Sequence, residues 1–388
     1  MGKNIRKLAE QVQPFVCQCR HILHQWPEVS FEEHKTTDFI CKKLDELGIP
    51  YRRTEPTGCI AEITGAKRGK TVALRADIDG LNIHEDNDLP FCSKRPGFMH
   101  GCGHDTHAAM LLGAAKILQE MRDDLSGTVR LLFQPAEETG EGAKALVEQG
   151  ALDGVDACFG QHIFSCAPVG EIKASPGPIM PAADRFVVKI HGLTSHGAAP
   201  HAGIDALVCG ASIVMNLQTI VSREIDPQVP IVVTIGAFHS GSRYNVCPGE
   251  AELEGTVRIF DEKIHQQIPE IMKRILDHTA AAYRCTAELH YIFGSHALVT
   301  DGKITETIIG AAKKITSDRS LIGEWEKSMG SEDFSEYSAH VPSGFAALGC
   351  GGSGGMHNEH LIIDEDAFIT GVALHVQFVL DYFDTFDK

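Results

Sequence analysis

The chain has 388 residues, 43% hydrophobic and 22% charged, a balance that excludes disordered and collagen-like proteins; at about 150 residues per domain it has room for two or three. Thirty-five Lys and Arg against 52 Asp and Glu leave a formal charge of −17, which argues against nucleic acid and anionic membranes as partners. The 12 cysteines are scattered from Cys17 to Cys350, and the basic start lacks the apolar run of a signal peptide, so a reduced, cytoplasmic, non-membrane protein is expected.

Ile5, Leu8, Val12, Phe15, Cys19 and Leu23 recur every three or four residues, the spacing of an amphipathic helix from about Asn4 to Gln25 that Pro27 ends. A second helix is expected from about Phe31 to Leu47, with Gly48 and Pro50 as stop signals. Strands at 59–65, 71–77, 128–134 and 157–163 then alternate with helices at 105–121, which Asp105 is placed to cap, and at 141–149. This is the pattern of a mostly parallel sheet flanked by helices. The middle of the chain changes character: strand 185–192, helix 205–223, strands 231–238 and 250–260, helix 261–283 and strand 286–293 give the split β-α-β-β-α-β order of a ferredoxin-like unit. A helix at 303–315, a strand at 344–349 and a last helix at 365–383 resume the first pattern. The expected fold class is α/β: a discontinuous, mostly parallel-sheet domain at 1–182 and 294–388, with an inserted ferredoxin-like α+β domain at 183–293.

In an open parallel sheet, sites form beyond the carboxyl ends of the strands. Strand 71–77 runs into Asp77 and Asp79, strand 128–134 into Glu137 and Glu138, strand 157–163 reaches His162, and strand 344–349 leads to His357 and His360. Between them, Met99–His107 (MHGCGHDTH) concentrates His and Cys in a short loop, a metal-competent density. Adjacent Glu137 and Glu138 point in different directions on an extended segment, so one can bind metal while the other faces substrate. The run GCGGSG at 349–354 satisfies G-x-G-x-x-G and GGSGG spells G-x-S-x-G, but no helix follows either, which rejects a dinucleotide fingerprint and a nucleophile elbow. A flexible loop that carries His357 is the better reading.

The succession HILHQWPEVSFEE (His21–Glu33), LRADIDGL (Leu74–Leu81), MHGCGHDTH, FQPAEETGEGA (Phe133–Ala143), GQHI (Gly160–Ile163), SHGAAPH (Ser195–His201), NVCPGEAELEGTVR (Asn245–Arg258) and MHNEH (Met356–His360) resembles the M20 metallopeptidase superfamily, in particular its branch of hippurate, N-acyl-amino-acid and auxin-conjugate hydrolases. The resemblance covers nearly the whole chain in order. It implies two divalent metal ions, zinc or manganese with cobalt or nickel as alternatives, held by Cys102, His104, Glu138, His162 and His357, with His360 as the rival to the last. It further implies Glu137 as general base, Asp79 and less directly Asp77 as orienting residues, and His196 with Asn245, from an inserted lid, as oxyanion stabilisers. The implied reaction is amide hydrolysis of N-acyl amino acids, or dipeptidase or aminopeptidase action on the same scaffold, and a homodimer through the lid is an expected assembly. Gly80-Leu81-Asn82 replaces the usual Ala-Leu-Pro, and Ser165 a usual Pro, both in loops.

Overall fold

The computed structural model describes residues 4–386. Helix Ile5–His24 is capped by the Asn4 side chain, which accepts the Lys7 N–H, and it buries Ile5, Ala9, Val12, Val16, Cys19 and Leu23 as one stripe. The next helix is His34–Leu47, which starts later than the expected Phe31. Residues 27–33 are held outside it, because Val29 bridges to Gly80 and Phe31 takes a φ of 64°.

An eight-stranded sheet follows, in the order Tyr51–Arg53, Cys59–Thr64, Ser126–Gln134, Lys67–Asp77, Ala157–Phe164, Ser343–Gly349, Ile172–Lys173, Ile322–Gly323. The four strands from Ser126–Gln134 to Ser343–Gly349 are mutually parallel, and Cys59–Thr64 joins them antiparallel. Their runs are apolar on both faces: Val72, Ala73, Leu74, Leu131, Leu132, Phe133 and Phe159 are all buried, as strands covered on both sides require. Helices His104–Glu120 and Ala367–Phe386 are buried nearly all round and share this core. With four strands running one way, their carboxyl ends meet along one edge, which gathers the chemistry described below.

A second compact unit comprises Met180–Leu298 with Lys327–Ser331; the first runs up to Ile179 and resumes at Val299–Glu326 and from Glu332 onward. The second unit holds an antiparallel sheet in the order Ile231–Ser240, Glu250–Ile259, Ala182–His191, Thr286–Ser295, packed on helices Ala206–Thr219 and Ile268–Ala282 through Phe186, Val188, Ile213, Leu253 and Met272. Asp205 and Asp261 cap their helices with side-chain hydrogen bonds. The expected single helix at 261–283 is two, Glu262–His265 and Ile268–Ala282, with Pro269 in the first turn of the second. Among the described residues one helical stretch, Ala206–Glu224, has the length and hydropathy to cross a membrane, although Ala206, Cys209, Ile213, Leu217 and Ile220 of it lie in the core of this unit.

Asp105 does not cap its helix. The helix starts at His104, which places Asp105 in the first turn, where its carboxylate instead accepts Arg20 Nε at 3.0 Å and His24 Nδ1 at 2.8 Å, while His24 Nε2 reaches Glu85 at 3.1 Å. Arg20, His24 and Asp105 are each 1% exposed, so this ionic knot pins the first helix to the helix that starts at the site. Removing one partner of a buried pair strands the other: Arg20→Met is expected to lower the unfolding free energy by about 3–5 kcal/mol, measured by urea denaturation.

Candidate metal centre

The loop that precedes helix His104–Glu120 turns at Gly103, where a φ of 81° and the Ile163 side chain packed against the backbone admit no Cβ. This turn sets Cys102 and His104 side by side at the strand edge. Donor atoms of Cys102, His104 and His162 lie within 4.8 Å of one another, as do those of Cys102, Glu138 and His357, and those of His104, Glu137 and Glu138. Cys102 Sγ is 3.5 Å from His162 Nε2, and His357 Nε2 is 3.3 Å from Glu138 Oε1. The five residues singled out as ligands are therefore gathered in one place, with Glu137 beside them. His360 is not among them: its Nδ1 donates to the Asp86 carbonyl at 2.8 Å.

Two of the three imidazoles are aimed from behind. His104 Nδ1 donates to Asp79 Oδ1 at 3.0 Å, and His162 Nδ1 to the Ile163 carbonyl at 2.6 Å, so in both rings Nε2 is the nitrogen left for the donor cluster. Asp79 is itself held by Ser30 Oγ at 2.7 Å and by the Glu138 N–H at 3.0 Å. Asp77 acts elsewhere. It accepts His107 Nδ1 at 2.6 Å, and His107 Nε2 accepts the Ile163 N–H at 2.9 Å, which ties the strand carrying His162 to the helix carrying His104. Burial, and then the neighbouring His107, pushes the His162 pKa well down, so this ring is neutral as a ligand must be.

Beneath the donors lies a group of buried charges of which the sequence singles out Asp77 and Asp79 but not Arg75, Glu332 or Asp333. Arg75 donates through Nε to Gln134 at 2.8 Å, through Nη1 to Asp77 at 2.6 Å and through Nη2 to Asp333 at 2.7 Å, and Nη2 forms an ion pair with Glu332 at 3.0 Å. Asp77, Asp79, Glu332 and Asp333 are all at most 3% exposed, and Glu137 and Glu138 add two more carboxylates against this single guanidinium. Burial first, then Glu332 and Asp333, pushes the Glu137 carboxyl well above the usual range. The His104 ring responds to the same field: burial opposes its charge, yet Asp77 foremost holds its pKa well above the ordinary value. Such a field calls for added positive charge. The donor chemistry meets that demand, since His104 Nε2 and Glu138 Oε1 are buried with no hydrogen-bond partner while Cys102, Glu138 and three imidazoles converge on the same space. The residues present fit divalent cations.

His196 and Asn245 belong to the second unit and are neighbours there. Ser195–His196 pairs with Val246–Cys247, and the Gly197 N–H donates to the Asn245 carbonyl at 2.8 Å; both side chains are exposed.

Comparison with known proteins agrees with this geometry. A family model described as peptidase family M20/M25/M40 matches residues 73–381. The chain is 42% identical over 351 residues to an N-acetyl-L-cysteine deacetylase of Bacillus subtilis, covering 90% of this chain and 84% of that one. It is 37% identical over 383 residues to thermostable carboxypeptidase 1 of Saccharolobus solfataricus, covering 96% of each. Among solved structures it is similar to a dinuclear metal-binding peptidase of the M20 family from Bacillus subtilis, with a TM-score of 0.87 at 35% identity over 97% of this chain and 99% of that one.

Purified protein is expected to carry two divalent ions per chain by elemental analysis. Because an ion that binds only the folded state stabilises it by about 2.7 kcal/mol when free ion is at 100 times its Kd, chelation should lower Tm and readdition restore it, whereas His104→Ala should bind less metal and lose most of that response.

Proposed function

The chain belongs to peptidase family M20/M25/M40, and from that premise we propose that it hydrolyses the amide bond of N-acyl amino acids, with two divalent cations, zinc or manganese, held by Cys102, His104, Glu138, His162 and His357. The observation that carries this reading is the division of labour at the bend: Glu138 faces the imidazoles and thiol, while the neighbouring Glu137 lies beside them with a carboxyl pushed up by its surroundings. The likeness to a deacetylase of N-acetyl-L-cysteine over 90% of the chain supports the acyl amino acid as substrate class.

Bound cations supply Lewis acidity for the amide carbonyl and lower the pKa of attacking water. Glu137 takes the proton from that water and returns it to the departing amine nitrogen, a transfer that suits a carboxyl whose burial makes it hold a proton more readily than an exposed glutamate. Asp79 keeps His104 in the tautomer that presents Nε2. His196 and Asn245 are assigned the developing oxyanion. For the free carboxylate of the substrate we assign Arg258 of the second unit rather than Arg243. It is half-buried along a cavity of about 570 Å³, donates to Thr256 Oγ1 at 2.8 Å and the Val257 carbonyl at 3.3 Å, and forms no ion pair among the described residues; Arg243 is exposed. A cytoplasmic homodimer is part of the same proposal.

The likeness to a carboxypeptidase favours a second reading, cleavage of peptides on the same centre. The two separate in one assay: N-acetyl and N-benzoyl amino acids against unblocked dipeptides, with Mn²⁺ or Zn²⁺ added. The acyl amino acids are expected to turn over faster. Glu137→Gln should then lower kcat by about 10²–10⁴ with metal content unchanged; loss of metal, or surviving activity, would overturn the assignment of the base.

A further inference from the structure

The bend that carries Glu137 and Glu138 is not a relaxed turn. Ala136 has a φ of 54°, a conformation that L side chains rarely adopt and that persists where the surroundings enforce it. The segment closes on itself through Gly140 N–H to the Glu137 carbonyl at 2.8 Å and Gly142 N–H to the Ala136 carbonyl at 3.2 Å, and a Cβ on Gly142 would collide with the Pro135 carbonyl oxygen.

Two buried carboxylates from distant parts of the chain hold it, Glu33 at Ala136 and Asp333 at both ends. Glu33, 0% exposed, accepts the Ala136 N–H at 2.9 Å with Oε1 and the Thr57 hydroxyl at 2.5 Å with Oε2. Asp333, 3% exposed, accepts Gln134 Nε2 at 2.9 and 2.7 Å with its two oxygens, and the Ala143 N–H at 2.9 Å with Oδ2, while Arg75 Nη2 holds Oδ1 at 2.7 Å. Glu33 ends the motif His21–Glu33, and Asp333 lies in a stretch to which the sequence alone gives no element or role; neither has work in the reaction described above.

We infer that Glu33 and Asp333 are positioning residues that clamp the 134–143 segment, Asp333 at its two ends and Glu33 at Ala136 beside the bend, and thereby aim the Glu137 carboxylate. This rests on Glu137 being the base of the proposed reaction. Each clamp makes a different demand on its residue. Glu33 has one acceptor duty toward a backbone N–H and one toward a hydroxyl that can turn round, so an amide satisfies both. Asp333 faces N–H donors on both oxygens, and an asparagine NH₂ would meet a donor on one side.

The test compares Glu33→Ala, Glu33→Gln and Asp333→Asn in the metal-loaded enzyme. Misplacing a catalytic group by about 1 Å costs on the order of 10²-fold, so Glu33→Ala and Asp333→Asn should lose roughly 10- to 100-fold in kcat with KM changed less than about threefold, and Glu33→Gln should keep nearly all of kcat. Amide hydrogen exchange read by mass spectrometry supplies a measure that needs no turnover: peptides spanning 134–143 should exchange faster in the first and third variants and at the wild-type rate in Glu33→Gln, with helix His104–Glu120 unchanged in all three. Should Glu33→Ala fail to fold, Thr57→Val removes the outer support of the same carboxylate and should give a smaller effect of the same sign in both measures. Unchanged exchange at 134–143 in Glu33→Ala, or Glu33→Gln as impaired as Glu33→Ala, would overturn the clamp. An enzyme that turns over no acyl amino acid while its exchange follows the expected order would instead remove the proposed reaction and leave the clamp standing.

Discussion

The arrangement of the first unit depends on burying one guanidinium among several carboxylates. Arg75 uses all three of its nitrogens on Gln134, Asp77, Glu332 and Asp333. Ion pairs out of water repay their desolvation only when nearly every donor and acceptor is matched, and here the matching extends outward. Gln134 relays Arg75 to Tyr337 and Asp333, and Asp77 relays it to His107 and thence to the backbone beside His162. The negative charge left over after Arg75 is satisfied is not a defect of this packing. It is the electrostatic preference for cations that the thiol and imidazoles make selective.

A division by depth follows. The innermost groups fix strands to one another, the middle groups fix the tautomer and direction of rings, and the outer atoms, His104 Nε2 and Glu138 Oε1, are left without a hydrogen bond. Donor atoms that are free at the surface of a polar interior, yet immobile because their other ends are bonded, are preorganised for coordination. His357 is the exception: its ring is half exposed, and its place is secured through the backbone, where its N–H donates to the Gly101 carbonyl at 2.7 Å.

Much of this is legible from residue order, for reasons that differ by level. Strands such as 128–134 read clearly because continuous apolar runs with short breaks signal parallel strands covered on both faces, and the ends of four such strands converge by topology alone. The convergence of His, Cys and Glu reads from the strand ends, but not which of them are structural: His100 and His107 of the same loop bond the Asp79 carbonyl and Asp77. Asp105 misleads, since a helix-start acid is usually a cap, and only the tertiary approach of Arg20 and His24 claims it. Glu332 and Asp333 are invisible in the sequence: they lie in irregular chain between Ile322–Gly323 and Ser335–His340, and an acidic pair there looks like any solvated loop until the fold returns it beneath the Lys67–Asp77 strand. Glu33 stands within a motif but has no chemical reason attached to it there, because its partner is a backbone N–H distant in the chain.

The discontinuity of the first unit bears on how the protein is made. Synthesis runs from the amino end, so Arg75, Asp77, Cys102, His104 and Glu138 emerge long before Asp333 and His357, and the strand Ser343–Gly349 must still enter the middle of the sheet beside Ala157–Phe164. The second unit, whose four strands all pair with one another and whose core is its own, has its whole sheet once residue 298 has left the ribosome. The donor cluster is thereby complete only when the last quarter of the chain has been made, because His357 and the strand before it come from there.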